Sequence, residues 1–140
     1  MTLDSLPMVI PEFWAIMTII QEAESEGLTG MQAVAEVIRR RTNMKLFSDG
    51  TYSSTCLWPY QFSGWNTKDP NRARVAKLTL DDPIVLTAIQ AWRISKNSNM
   101  TNGATHYLNP KTVGSISLPE WAAPADRVAV IGNHEFYLVK

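Results

Sequence analysis

Paired cysteines, net charge and extended apolar stretches are all missing from this sequence, and each absence removes a class of protein. Cys56 is the only cysteine in 140 residues, which excludes an internal disulfide. Thirteen basic and thirteen acidic side chains cancel. A nucleic-acid-binding module usually carries a basic surplus, so we expect no nucleic-acid partner. Pro11 and Glu12 interrupt the early apolar residues, which are therefore too few to span a bilayer.

The positions of the histidines and the cysteine give little support for a metal site or for a catalytic cysteine. His106 and His134 are far apart, and no His-Glu-x-x-His or Cys-x-x-Cys spacing accompanies them. Cys56 could pair with either histidine as a nucleophile, but its neighbours indicate a small buried thiol instead. A glycine-rich phosphate loop is also missing. The residues alone therefore give little support for a metal site.

The composition that is present is that of an ordinary globular protein, with 45% apolar and 19% charged residues. A chain of this length can form its own core, so we predict one domain over residues 1–140. Two basic groups stand out, residues 39–41 and the set Arg72, Arg74 and Lys77. Such groups are usually solvent-facing helix surfaces, and contact with an anionic polymer is the alternative.

Two helices are predicted at the start of the chain, with a glycine between them. Pro11 suits a first helical turn, and that helix runs to about Ser25 before Gly27 breaks it. Thr29 and Gln32 have the spacing of a capping box, which predicts the start of the second helix. The apolar stripe of this second helix consists of Met31, Val34, Ala35 and Ile38.

Residues 43–68 carry many turn and loop signals, which predicts a long loop. The stretch also contains large aromatic residues, among them Trp58, Tyr60, Phe62 and Trp65. Long loops often have a function, and aromatic residues among polar ones are typical of the wall of a carbohydrate-binding cleft. The alternative is a loop that folds over the core.

The second half of the chain predicts one more helix and a small sheet. Asp82 as cap and Pro83 in the first turn start a helix that ends near Ile94. Short apolar segments predict strands at residues 105–108, 127–131 and 135–139. Gly132-Asn133 suits a hairpin turn between the last two strands. The predicted fold class is α+β, with helices first and a small antiparallel sheet towards the C-terminus.

Glu22 is the carboxylate with the most informative surroundings. It follows an uncharged apolar helical run at residues 13–20, so we expect it to be partly desolvated, which favours its neutral form. The negative end of the helix dipole acts in the same direction. A carboxyl that keeps its proton near neutral pH suits a general acid that breaks an acetal. Glu26, four residues on, is the candidate for a second carboxylate, although glutamates at a helix end are usually solvated.

Four blocks of the sequence, taken in order, form a recognisable pattern. They are Glu22-Ala23-Glu24-Ser25-Glu26-Gly27 with Gly30 to Ile38, Tyr60-Gln61-Phe62-Ser63-Gly64-Trp65-Asn66, Gly103-Ala104-Thr105-His106-Tyr107, and Ile131-Gly132-Asn133-His134-Glu135-Phe136-Tyr137. In this order they resemble the spore-cortex-lytic, SleB-type cell-wall hydrolase family. Trp121 also falls where that family has a tryptophan, and the resemblance covers nearly the whole chain.

The resemblance implies a lysozyme-like α+β fold and cleavage of the peptidoglycan bond between N-acetylmuramic acid and N-acetylglucosamine. It carries the catalytic glutamate of the family onto Glu22, and it implies no metal ion and no organic cofactor. The similarity extends to lytic transglycosylases, in which one carboxylate is acid and then base while the C6 hydroxyl of the muramic acid closes a 1,6-anhydro ring. One alternative is a hydrolytic muramidase with Glu26 or an aspartate as second carboxylate. The other is a wall-binding or virion structural module without catalysis.

Five residues within the matching blocks are candidates for sugar contacts: Gln61, Ser63, Trp65, His106 and Tyr107. Each has a structural alternative, such as a core aromatic for Trp65 or a strand histidine for His106. For His134, beside the hairpin turn, we favour a structural role. Where the family commonly has arginine, this chain has Glu24, and its negative charge would raise the pKa of Glu22 further.

A catalytic module that starts at its own Met1 resembles a bacteriophage endolysin for a Gram-negative host. No signal peptide is recognisable. We therefore expect a monomer that accumulates in the host cytoplasm and reaches the periplasm and wall once a holin opens the inner membrane. Its partner would be the glycan strands of peptidoglycan. A virion-associated enzyme and a bacterial germination or remodelling enzyme are the alternatives.

Overall fold

The computed structural model describes residues 10–66, 69–113 and 118–140. In these ranges the helices are α1 (Phe13–Ala23), α2 (Gly27–Met44), α3 (Tyr52–Leu57), α4 (Pro70–Ala76), α5 (Pro83–Ser95) and α6 (Pro110–Val113). Short 3₁₀ turns occur at Glu24–Glu26, Ser63–Trp65 and Pro124–Asp126. The strands are β1 (His106–Leu108), β2 (Arg127–Ile131) and β3 (His134–Tyr137).

The core lies between α1, α2 and α5. The predicted apolar stripe of α2 is confirmed, because all four of its side chains are fully buried. Helix α5 begins as predicted: the Asp82 carboxylate accepts a hydrogen bond from the Ile84 amide at 3.1 Å, and Pro83 is the first helical residue. Cys56 is buried, as expected of a small apolar thiol. Within the described ranges, no helix has the length and apolar character needed to cross a membrane.

The start of α2 differs from the prediction. The helix begins at Gly27, so Thr29 lies inside its first turn and is exposed, and the capping box is wrong. Gln32 instead donates to the Ser98 hydroxyl at 3.0 Å. Gly27 has φ 71° and ψ −166°, a conformation that only glycine adopts readily, and this reverses the chain after the 3₁₀ turn. The glycine therefore starts the second helix as well as ending the first.

Local capping also gives structure to part of the predicted loop at residues 43–68. The Thr51 hydroxyl accepts from the Ser54 amide at 3.3 Å and starts α3, which shows that the loop prediction was wrong for this part. Asp69 caps α4 in the same way, accepting from the Asn71 amide at 2.8 Å. Residues 67–68 of the predicted loop lie outside the described residues.

The three strands form an antiparallel sheet in the order β1-β3-β2, which confirms the predicted α+β class and its C-terminal sheet. Gly132, with φ 58°, turns the chain between β2 and β3 as predicted. In the pairing of β1 with β3, Tyr107 lies opposite Phe136. This sheet packs its Phe136 side against α2 and so brings β1 close to the end of α1.

The two basic groups were predicted to face solvent, and this is wrong for Arg41. Its side chain is only 4% exposed, whereas Arg74 and Lys77 are exposed on and beside α4. Arg74 pairs with Glu24, which brings a cation to the carboxylate that replaces the arginine of the family. Arg41 is buried because its hydrogen-bond partners lie in the candidate active site, which is described below.

Candidate active site

A cleft of about 400 Å³ lies between the end of α1, α2 and β1. Its wall includes Glu22, Arg41, Gln61, Ser63, Tyr107 and Trp121. Four of the seven predicted site residues therefore meet in one cleft. The remaining three, Glu26, Trp65 and His106, are outside its wall. No three His, Cys, Asp or Glu side chains come together to hold a metal ion in the part of the chain that the structure describes.

Glu22 is half-buried in the last turn of α1 and lies in the cleft wall. Burial raises the pKa of its carboxyl, while the hydrogen bond from Tyr107 and the charge of Arg41 lower it, and Asp69 raises it again. The net shift is upwards because desolvation dominates. Glu22 can therefore hold a proton at a pH where an exposed glutamate has lost it.

Tyr107 fixes the orientation of Glu22. Its hydroxyl donates to Oε1 of Glu22 at 2.5 Å. Burial, followed by the charge of Glu22, raises the pKa of Tyr107, so the phenol stays protonated and acts as a donor. The ring meets His134 edge-on at 5.3 Å between centroids and packs on Phe136 at 5.6 Å. Strand pairing and ring packing thus hold the donor in place.

Arg41 places a buried positive charge in the cleft wall. Its Nε donates to the Thr105 carbonyl at 2.7 Å, and its Nη1 donates to Oε1 of Gln61 at 3.2 Å. Burial lowers the pKa of Arg41, but a guanidinium remains charged at any working pH. Its charge favours the ionised form of Glu22. Arg41 therefore orients Gln61 and stabilises Glu22 once the proton has left.

Glu26 contacts the β2–β3 hairpin and is not in the cleft wall. Its Oε2 accepts from the Asn133 amide at 3.4 Å, and its Oε1 lies 3.8 Å from Nδ1 of His134. A Cβ added at Gly132 would lie 2.3 Å from Oε2 of Glu26. The structure thus places Glu26 against the hairpin, outside the cleft wall that contains Glu22. Its contacts hold the turn that carries His134, which packs on Tyr107.

We expect Gly132→Ala to destabilise the fold by about 1–2 kcal/mol, because its left-handed φ disfavours a side chain and the methyl displaces Glu26. In a Glu26→Ala background the cost should be smaller. Gly103→Ala is the matched control, since Gly103 has φ 83° and its added Cβ would meet only Leu138 at 3.9 Å. Urea unfolding of the double-mutant cycle measures the coupling. Equal costs in both backgrounds would contradict the contact.

Trp65 and His106 make contacts that support the fold and do not line the cleft. Nε1 of Trp65 donates to the Thr18 hydroxyl at 2.7 Å, which ties the ring to α1. His106 is buried, and its Nδ1 pairs with the Thr105 hydroxyl at 2.8 Å. Burial, aided by Arg41, lowers the pKa of His106 to about 4, so the ring is neutral. Its ring packs on Trp121, at 4.8 Å between centroids, and so supports a residue of the cleft wall.

Sequence reasoning did not select Arg41 and Trp121 as site residues. Arg41 is one of three consecutive arginines, and nothing local distinguishes it from its neighbours. Trp121 falls where the family has a tryptophan, and this match is the sequence feature that could have identified it as a site residue. Ser63 was selected and is exposed at the cleft, as is expected of a sugar contact.

Comparisons with known proteins agree with this fold. The model of the cell wall hydrolase family matches residues 25–137. The catalytic domain of the germination-specific lytic transglycosylase SleB from Bacillus anthracis is 22% identical, with a TM-score of 0.63 over 89% of this chain and 90% of that one. The catalytic domain of the Bacillus cereus SleB protein is also 22% identical, with a TM-score of 0.62 over 89% of each chain. No curated protein sequence matches this chain.

Proposed function

Because this chain belongs to the cell wall hydrolase family, we propose that it cleaves the glycan strands of peptidoglycan as a lytic transglycosylase, with Glu22 as acid and then base. The bond is that between N-acetylmuramic acid and N-acetylglucosamine. The main support for this proposal is a single carboxyl in the cleft, that of Glu22, which has a raised pKa and accepts a hydrogen bond from Tyr107. Glu22 is the only carboxylate among the described residues of the cleft wall. The Bacillus anthracis neighbour, named a lytic transglycosylase, supports the reaction type.

In the first step, protonated Glu22 transfers its proton to the glycosidic oxygen as the bond from that oxygen to C1 of the muramic acid breaks. Tyr107 occupies Oε1 of Glu22, so Oε2 carries the proton. The N-acetylglucosamine leaves with a new hydroxyl, and positive charge develops at C1. Glu22 becomes a carboxylate that the Tyr107 hydroxyl and the charge of Arg41 stabilise.

In the second step, the Glu22 carboxylate accepts the proton of the C6 hydroxyl while that oxygen bonds to C1. The 1,6-anhydro ring closes, and Glu22 regains its proton without consuming water. One carboxylate is sufficient, because it is acid in one step and base in the next. A raised pKa suits the acid step, because burial favours the protonated form, while Tyr107 and Arg41 favour the carboxylate that acts as base in the second step.

A hydrolytic muramidase is the competing reaction, and it needs a second carboxylate to activate water. Glu26 and Asp69 are the candidates, Asp69 because its charge acts on Glu22. Mass spectrometry of the soluble fragments released from purified Gram-negative peptidoglycan separates the two. We expect 1,6-anhydro ends from the wild type and from Glu26→Gln. Reducing ends that acquire ¹⁸O from labelled water would instead show that water attacks.

We expect Tyr107→Phe to lower the rate of fragment release roughly tenfold to a hundredfold, because a hydrogen bond to a charged group is lost. The variant also loses a contact that lowers the pKa of Glu22, so the fall in rate at alkaline pH should move to higher pH. Tyr137→Phe is the matched control, since its hydroxyl contacts Glu135 at 3.0 Å. A wild-type pH profile for Tyr107→Phe would contradict the role of Tyr107.

We also propose that the protein is a bacteriophage endolysin, a role that rests on the proposed cleavage of peptidoglycan. Expression in Gram-negative cells with and without a holin tests this role. We expect lysis only when the holin opens the inner membrane, with the enzyme in the cytoplasm until then. Lysis without a holin, or enzyme found outside the inner membrane, would contradict it.

A further inference from the structure

Tyr60 has a backbone conformation that tyrosine rarely adopts, and its ring has no packing that would explain it. Its φ is 67°, and its side chain is fully exposed, at 102%. The Gln61 amide donates to the Trp58 carbonyl at 3.2 Å and closes a turn with Pro59 and Tyr60 at its centre. At the place of Tyr60 such a turn favours glycine or asparagine. A left-handed tyrosine costs about 1–2 kcal/mol, which burial does not offset here.

This turn is attached to the cleft by its next residues. Gln61 and Ser63 both line the cleft, and Arg41 holds Gln61 by a hydrogen bond of 3.2 Å. Phe62 between them is buried in the core. Tyr60 is therefore joined through its backbone directly to a residue of the cleft wall. Trp58, 38% exposed, begins the same turn.

From these observations we propose that Tyr60 and Trp58 form an additional sugar-binding subsite outside the cleft. It binds a sugar of the same glycan strand that lies beyond the sugars held in the cleft. This proposal rests on the proposed function. A pyranose ring has an apolar face of C–H groups that packs on an aromatic ring, and the tyrosine hydroxyl adds a hydrogen bond at the edge. The cleft of about 400 Å³ holds a few sugars at most, whereas a peptidoglycan strand continues beyond it.

A protein partner fits this surface less well. A stable protein interface takes about 800 Å² from each side, which the two rings and the exposed Leu57 do not provide. A sugar needs only one ring, and Tyr60 directly precedes Gln61 of the cleft wall, so a glycan strand that extends beyond the cleft can reach this turn. The strained conformation is then explained, because it leaves the ring exposed and able to pack on a sugar.

Tyr60→Gly tests the proposal with opposite expected effects on stability and binding. The variant should unfold at the same temperature as the wild type or higher, because the strain is relieved and no packing is lost. Its KM for long glycan strands should rise about tenfold, as for Trp58→Ala, while cleavage of a short oligosaccharide that fills only the cleft is unchanged. Val130→Ala, at an exposed apolar residue of β2, is the control and should change neither.

Wild-type KM on long strands for both Tyr60→Gly and Trp58→Ala would overturn the subsite. An equal loss on long and short substrates would also overturn it, because it would indicate damage to the cleft. Failure of the proposed function is a different result: the wild type would release no soluble fragments. Binding of the Glu22→Gln variant to insoluble peptidoglycan, with and without Tyr60→Gly, still measures the subsite in that case. Equal binding by both would contradict it.

Discussion

Replacing Glu22 with glutamine is expected to lower the release of soluble peptidoglycan fragments by about a thousandfold or more. Glutamine has the size of glutamate and accepts the Tyr107 hydrogen bond through its carbonyl, but it carries no transferable proton. Both steps fail, since neither acid nor base is available. Mass spectrometry of the fragments gives the rate. Glu120→Gln, at an exposed acid outside the cleft wall, is the control and should be fully active.

The same variant should be more stable than the wild type at neutral and alkaline pH. Burial raises the pKa of Glu22 in the folded state above its value in the unfolded chain. Its favourable contribution is complete below the unfolded pKa and is lost as pH rises through the folded pKa. Glutamine stays neutral, so the difference in unfolding temperature in favour of the variant should grow as pH rises above 4.5, the ordinary value for glutamate.

Two outcomes would contradict this assignment. An active Glu22→Gln variant would remove Glu22 from the reaction. An inactive variant whose unfolding temperature falls at every pH would show that the substitution damages the fold, and activity would then say nothing about the proton. Loss of activity together with a gain in stability is the combination that an acid in a desolvated cleft predicts.

Local patterns in the sequence predicted most of the elements. Asp82-Pro83 starts α5 because a cap and a first-turn proline act within one helical turn. The stripe of α2 is buried because its period matches the helix. Glu22 is partly desolvated because it lies at the end of an apolar helical run that packs in the core. Each of these features depends on neighbours a few residues away, which is the range over which sequence patterns are informative.

Features that depend on distant partners were not predictable in this way. Arg41 is buried by the Thr105 carbonyl, 64 residues further along the chain, and Trp65 is tied to Thr18, 47 residues before it. The position of Glu26 under the hairpin depends on contacts 107 residues away. Sequence spacing placed Glu26 near Glu22, but the 3₁₀ turn at Glu24–Glu26 interrupts the helical register and directs it elsewhere.

Glu36 is the strongest case of such a distant contact, and its function in the fold can be tested. Its carboxylate is 2% exposed and accepts four hydrogen bonds from the loop before β1. The donors are the Ser98 hydroxyl at 2.5 Å, the Met100 amide at 3.0 Å, the Thr101 amide at 3.0 Å and the Thr101 hydroxyl at 2.7 Å. One side chain of α2 thus satisfies the backbone that leads into the strand carrying Tyr107.

We expect Glu36→Gln to destabilise the fold by about 3 kcal/mol, or roughly 10 °C in unfolding temperature. The amide nitrogen of glutamine cannot accept a hydrogen bond, so at least one of the buried donors that contact the Glu36 carboxylate would lose its acceptor. Thermal unfolding followed by circular dichroism measures the effect, with Glu120→Gln as the exposed control. Ser98→Ala, which removes one donor and leaves the carboxylate with three, should cost about 1 kcal/mol. A wild-type unfolding temperature for Glu36→Gln would contradict the assignment.

The pH dependence of this variant separates a lost charge contact from a packing defect. Burial alone would raise the pKa of Glu36, but its hydrogen bonds outweigh burial and hold the pKa below the ordinary value of 4.5. The stability it provides is therefore present above the unfolded pKa and is lost as pH falls through the folded pKa. The difference between wild type and Glu36→Gln should shrink below about pH 4.5 and be constant above it. A packing defect would give the same difference at every pH, because no proton is involved.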